Sequence, residues 1–468
     1  MRRAVVTMTN NPLRFQRICA TRLHIGFTAG ALALLASAAP AQAQADGPWS
    51  PAKAWSEAQR LSPQLRAADA TADAAKARID IARIPQIPTA AIEATHSEST
   101  ANFVARPGSV PKSFSSTGST FSLEPFGFWH AGASSRWTFA DFGRTSASVN
   151  AADHAAQAAG ADARSIRRQV WLQVMSAYQL VLTAEAGVVT AKETRDQSAQ
   201  RRELAKSRVE ARVRPPLDLA RAESDLASAE VAVLRGEEQV RAARIALAVA
   251  IGLTQAVAGP LAPLSLPDAE LTDERLQSAE ALDKWTDSAA AERPEIVGLA
   301  QRHQAALAEL AVVQKTANPS LYLGASATLA GTQLAAMAFN LGLTAGVTWP
   351  ISGMWLASPQ IAEVRARIRA LDGQEQSLRL SVRGELDAAR TAVAQARKRR
   401  PALATLQQFA NQAYEQAKVR YTAGASTMTE VIDAASAVSQ ARLQLLQADL
   451  DEALGVARWW AAMGRLPE

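Results

Sequence analysis

The 468 residues include one cysteine, five histidines and four tyrosines. The cysteine, Cys19, sits in an Arg-rich N-terminal stretch. The chain beyond it therefore has neither disulfides nor thiolate ligands or nucleophiles. His24 lies in the same N-terminal stretch, and the other four histidines, His96, His130, His154 and His303, are scattered without metal-ligand spacing. No nucleophile motif, glycine-rich phosphate loop or paired-acid cleft is present, so an enzyme is not expected, nor any cofactor or metal site. The formal net charge of +6 also misleads. Positions 1–43 carry five Arg and no acid, so 45 basic minus 44 acidic residues leave +1 beyond them. That balance does not point to nucleic acid.

The N-terminus reads as an address. Arg2, Arg3, Arg14, Arg17 and Arg22 precede an apolar run from Ile25 to Ala39, and Ala41-Gln42-Ala43 then supplies a small-x-small cleavage pattern. Residues 1–43 are expected to be a cleaved signal peptide. The run is too short for a transmembrane anchor. Cys19 lies before the run, where a lipoprotein cysteine would follow it, so the exported chain is expected to carry no lipid.

What the chain does contain, it contains twice. Arg208-Val-Glu-Ala through Asp218-Leu219 recurs 212 positions later as Arg420-Tyr-Thr-Ala through Glu430-Val431. Pro63 and Pro88 recur as Pro294 and Pro319, at an offset of 231. Trp137-Thr138-Phe139 with Gly143 matches Val347-Thr348-Trp349 with Gly353 at an offset of 210. This is far longer than a solenoid unit. The expected organisation is repeat 1 over 44–252, with two strands at about 88–140 and a long helical hairpin. A Pro-containing linker follows over 253–292. Repeat 2 covers 293–468, with strands at about 319–350 and a second hairpin.

Within each hairpin the apolar residues keep a seven-residue spacing. Leu219, Leu226, Val233, Val240 and Leu247 are each followed three positions later by a small residue, from Ala222 to Ala250. Val431, Val438 and Leu445 repeat the pattern, with Ala434, Ala441, Ala448, Gly455 and Ala462 on the small seam. This spacing predicts left-handed coiling at close backbone approach. The preceding helices, about 145–211 and 357–422, run for about 65 residues, or on the order of 100 Å. That length suits a tube or rod. A soluble coiled-coil protein would satisfy the helices alone.

The strands narrow the choice. Leu321, Leu323, Ala325, Ala327 and Leu329 alternate with Tyr322, Gly324, Ser326 and Thr328. Phe339, Leu341, Leu343, Ala345, Val347 and Trp349 alternate with Asn340, Gly342, Thr344, Gly346 and Thr348. Runs of about ten residues, apolar on one face and small or polar on the other, are the pattern of a membrane β-barrel. A half-buried pair in a soluble sheet is the alternative. In the first half Trp129, Ala131, Ala133, Trp137 and Phe139 alternate, interrupted by Ser135, and the strand from Pro88 grades into a Ser/Gly/Pro-rich loop at 97–120. Four strands cannot close a barrel, and lipid does not tolerate an open edge, so the chain is expected to assemble, three copies giving twelve strands.

These features together resemble the TolC-like outer-membrane efflux proteins. The motif Arg420-Tyr421-Thr-Ala-Gly424-Ala-Ser-Thr-Met-Thr-Glu430-Val-Ile-Asp433-Ala is the most specific part, beside the duplicated prolines and Trp137-Thr-Phe-Ala-Asp-Phe-Gly143. The resemblance implies a mainly α fold with a β-barrel segment. A long coiled α-helical barrel would join four transmembrane strands per chain, in two tandem repeats, closing as a homotrimer with a twelve-stranded barrel. It implies an outer-membrane location with the helices in the periplasm, and contact with lipid, a periplasmic adaptor and an inner-membrane pump. Adaptor-contacting tips would fall at Ala211-Arg212-Val213 and Ala423-Gly424-Ala425. Arg212 replaces the usual glycine and puts the first turn's geometry in question. Glu430, Asp433, Asp218 and Tyr421 match the family's pore constriction. Where the family places an arginine this chain has Ser426, so Arg212 and Arg214 are candidate replacements for the missing cation. The implied function is an exit duct for a tripartite efflux system, with a type I protein secretion duct as the alternative. A periplasmic coiled-coil adaptor is a more distant reading, since it predicts no lipid-facing strands.

Overall fold

The computed structural model describes residues 48–100 and 125–466. The expected leader and most of the expected 97–120 loop lie outside them; positions 97–100 belong to a strand. Helices α1 (Pro51–Leu61) and α2 (Pro63–Arg83) open the described chain. Both begin on proline, whose missing N–H costs nothing in a first turn. The chain then enters β1 (Thr89–Thr100), returns through β2 (Pro125–Ala140), and continues into the hairpin of α3 (Arg144–Glu210) and α4 (Pro216–Ile251). After α5 (Asp273–Gln277) and α6 (Ala279–Glu292) the same order recurs. It comprises α7 (Pro294–Gln314), β3 (Ser320–Gly331), β4 (Ala338–Thr348), α8 (Gly353–Thr422) and α9 (Met428–Met463). The 67 residues of α3 and 70 of α8 each reach about 100 Å. α8 runs on through Pro359 and Pro401, forgoing one backbone N–H at each.

The four strands form one antiparallel sheet in the order β1-β2-β3-β4. Register places the apolar positions in common rows: Ile92, Ala133, Ala327 and Leu341 form one, Ala90, Ser135, Ala325 and Leu343 the next. Ser135 thus interrupts the apolar face without breaking the register. Glu93, Gly132, Thr328 and Asn340 form a row of the opposite face. Ile92 is 89% exposed and Leu343 91%.

Pairing also corrects the strand offset. Thr89 pairs with Arg136 and Ser320 with Thr348, so β1 maps to β3 at 320 − 89 = 231 and β2 to β4 at 348 − 136 = 212. Trp137 therefore corresponds to Trp349, not Val347. The side chains agree: Trp137 Nε1 donates to Gln86 O at 3.0 Å and Trp349 Nε1 to Ala317 O at 3.1 Å. The 210 offset holds only beyond the strands: the first copy takes two more positions to reach its glycine, and the β2 bulge between Thr138 and Ala140 is one of them.

Segment 253–292 is more than a tether. Leu271, Leu276, Leu282, Trp285 and Ala289 pack on Val382, Leu386, Val393 and Trp459 in a core beside α8 and α9. A second core joins α1, α3 and α4 through Ala54, Trp171, Val174, Met175, Tyr178 and Leu247. The fully buried Tyr178 lies 2.6 Å from the carbonyls of both Trp49 and Ala262. Burial pushes its phenol up to about 12. At the hairpin seams, an added Cβ at Gly236 would sit 3.0 Å from Val188 Cγ2, and one at Gly455 would sit 2.8 Å from Val393 Cγ2. The close approach expected of the small-residue seam is sharpest at these two glycines.

Candidate functional site

The two hairpins end in turns at 211–215 and 423–427. Both turns close alike. Val213 N donates to Arg208 O at 2.9 Å and Arg212 N to Val209 O at 2.9 Å. Ala425 N donates to Arg420 O at 2.8 Å and Gly424 N to Tyr421 O at 3.1 Å. This pair of hydrogen bonds around a left-handed residue is the Schellman termination. Gly424 takes φ 83° and Arg212 takes φ 58°. The question raised by Arg212 is thus answered by geometry: the arginine adopts the glycine's backbone, at a cost a Cβ imposes there. Pro215 and Pro216 start α4 directly behind it, and Thr427 caps α9 by accepting from Glu430 N.

The first hairpin grips the second through main-chain carbonyls. Arg214 Nη2 donates to Tyr421 O at 3.0 Å and to Ser426 O at 2.7 Å, while its guanidinium stacks 4.6 Å from the Tyr421 ring centre. Arg208 Nη1 donates to Thr422 O at 2.7 Å. Two of these acceptors, at Tyr421 and Thr422, are final carbonyls of α8. They lack intrahelical donors and sit at the negative end of its dipole. Arg221 Nη1 donates to Thr429 Oγ1 at 2.6 Å. Beneath the turns Ala205, Ala222, Tyr421, Met428 and Val431 form a small core.

Tyr421 and Asp218 meet there: the phenol donates to Asp218 Oδ2 at 3.4 Å, with both residues buried. Burial, helped by the Asp218 carboxylate and opposed by Arg214, pushes the Tyr421 phenol up. It stays neutral and available as a donor. Asp218 stands in the first turn of α4, where the helix dipole favours a carboxylate.

The remaining expected residues are not drawn into this cluster. Glu430 and Asp433 are exposed on α9. Arg212 is exposed, and its side chain makes no hydrogen bond or ion pair among those described. Of the two arginines proposed to replace the missing cation, Arg214 therefore contacts the opposite tip and Arg212 does not. Ser426, at the position of the absent arginine, is buried and donates its hydroxyl to Ala417 O at 3.3 Å. Sequence reasoning missed Arg208 and Met428. Arg208 opens the duplicated motif, but an arginine bonding a carbonyl needs no partner side chain and leaves no second residue to find.

Comparison with known proteins agrees with this architecture. A family model described as outer membrane efflux protein matches residues 54–253 and 285–465. Among solved structures, the chain is similar to a membrane protein from Pseudomonas aeruginosa, at 19% identity and TM-score 0.73, covering 88% of this chain and 92% of that one. It is similar to the outer membrane protein VceC from Vibrio cholerae, at 18% identity and TM-score 0.71, covering 89% and 96%. The open MtrE outer membrane channel of Neisseria gonorrhoeae gives 20% identity and TM-score 0.69, covering 89% of each chain. No curated protein matches the sequence. With the family model spanning both halves, this chain belongs to the outer membrane efflux protein family.

Proposed function

We propose that three copies of this chain close their sheets into a twelve-stranded barrel in the outer membrane. The α3/α4 and α8/α9 hairpins then form a periplasmic tube that passively conducts substrates from a pump and its adaptor to the exterior. One observation carries the reading: among the described residues, a four-stranded sheet has both edges open and an apolar face left bare, Leu341, Leu343 and Ile92 among its exposed residues. Water penalises that face, and lipid penalises unpaired edges by several kcal/mol per group. A closed barrel in lipid removes both penalties. In this reading residues 1–43 direct export and are removed.

At the other end, Arg214 and Arg208 fasten the two tips of one protomer to each other, while the turns at Ala211–Val213 and Ala423–Ala425 face the adaptor. Glu430 and Asp433, three apart on one face of α9, would bring six carboxylates together in the trimer. Such a ring favours cations. Asp218 and Tyr421 complete the constriction.

The test is deletion of the gene, followed by assays for both small-molecule efflux and protein secretion. An efflux duct predicts increased sensitivity to toxic small molecules with secretion unchanged, restored by the wild-type gene. Unchanged sensitivity together with lost secretion would move the chain to the secretion class.

A further inference from the structure

We infer the register in which β4 of one copy pairs with β1 of the next. The inference rests on the trimeric reading above and adds residue pairs that the protomer alone does not contain. Its basis is that β2 and β3 are neighbours within one chain although they come from different halves. In a duplicated molecule, the β2–β3 seam is therefore the template for the β4–β1 seam between copies.

The mapping follows from the observed pairs. β2 maps to β4 by +212 and β3 to β1 by −231. Trp137 pairs with Leu323 inside the protomer, so Trp349 faces Ile92 of the neighbouring copy. Arg136 opposite Gly324 becomes Thr348 opposite Glu93. Ser135 opposite Ala325 becomes Val347 opposite Ala94, and Gly132 opposite Thr328 becomes Thr344 opposite Ser97.

Two checks not used in the mapping support it. A slip of one residue exchanges the faces of a strand. The inferred register instead sets apolar against apolar (Trp349 with Ile92, Val347 with Ala94) and polar against polar (Thr348 with Glu93, Thr344 with Ser97). It also covers one of the barest residues: Ile92, 89% exposed in the protomer, acquires Trp349 as its partner, as Leu323 already has Trp137. Thr348 brings a hydroxyl opposite the Glu93 carboxylate.

The scarcity of cysteine makes the register measurable, since Cys19 lies in the expected leader. Directly opposed positions have Cβ atoms about 4.5–5.5 Å apart and diagonal ones roughly 7–8 Å, whereas a disulfide needs about 3.5–4.5 Å. The in-register pairs to build are Thr344→Cys with Ser97→Cys on the polar face and Val347→Cys with Ala94→Cys on the apolar face. Their slipped counterparts are Thr344→Cys with Thr95→Cys and Val347→Cys with His96→Cys. After mild oxidation of membranes, the in-register pairs should give covalent dimers and trimers that survive boiling in SDS and collapse with reductant. The slipped pairs and single cysteines should run as monomers. The wild type, run unboiled beside them, reports assembly independently. Absence of a wild-type trimer would remove the duct reading itself. A trimer in which the slipped pairs cross-link, or in which none does, would overturn the register and leave the trimer standing.

Discussion

At the scale of single residues, the tips depend on a guanidinium meeting the end of a helix. Arg214 supplies two hydrogen bonds and a stacked ring contact to the second hairpin. Replacing it with alanine should cost the tip contact about 2 kcal/mol, or roughly thirtyfold in the balance between fastened and released tips. The expected readout is raised basal conductance in planar bilayers, with Arg214→Lys intermediate because a lysine keeps the charge but not the planar fork. Arg212→Gly should leave conductance at the wild-type level, since glycine takes the same positive φ more readily. Equal leak from both substitutions would refute the assignment of Arg214 over Arg212. Tyr178 gives a separate test in the first core. Its folded phenol titrates near 12 against an ordinary 10, so the buried neutral form stabilises the fold below pH 10 and loses that advantage as pH rises from 10 to 12. Tyr178→Phe should cost about 1–2 kcal/mol at neutral pH. The difference between wild type and variant in urea denaturation should shrink across that window, and a pH-independent difference would contradict the assignment.

At the scale of elements, the hairpins are set by which glycines are crowded. Gly455→Ala forces a Cβ to 2.8 Å from Val393 Cγ2 and should destabilise by about 1–3 kcal/mol. Gly373 lies in the interior of α8 with nothing within 4 Å of an added Cβ, and its alanine variant should gain up to about 1 kcal/mol. Thermal melts followed by circular dichroism separate the two, and melts displaced in the same direction would contradict the seam. Much of this level was legible in the sequence. The heptads and small seams marked the hairpins, and the alternation of Leu321–Leu329 and Phe339–Trp349 marked β3 and β4. Other features were hidden by physics. The prolines of 253–292 read as linker because α5 and α6 are short and owe their order to Trp459 and Leu386, distant in sequence. The 210 offset misaligned the strand exits by two positions, and one of them, the β2 bulge, is invisible without a partner strand. Asp218 and Tyr421 were found from their motif. The bonds of Arg208 and Arg214 end on backbone oxygens that every residue carries, so no pattern of side chains announces them.

At the scale of the molecule, the repeat builds half of the architecture, and in the proposed trimer further copies of the chain complete it. Duplication supplies two hairpins and two strand pairs, and the β2–β3 contact joins the halves into one sheet. Among the described residues, nothing in one chain covers the face bearing Ile92, Leu341 and Leu343 or pairs with the outer edges of β1 and β4. The functional account therefore turns on stoichiometry. The most direct measurement is the native mass of the particle extracted from outer membranes in a mild detergent, with bound detergent stripped in the spectrometer. The account predicts a mass of three chains, each shortened by the leader. A particle of one or two chains, or recovery of the protein from the soluble periplasmic fraction, would contradict it.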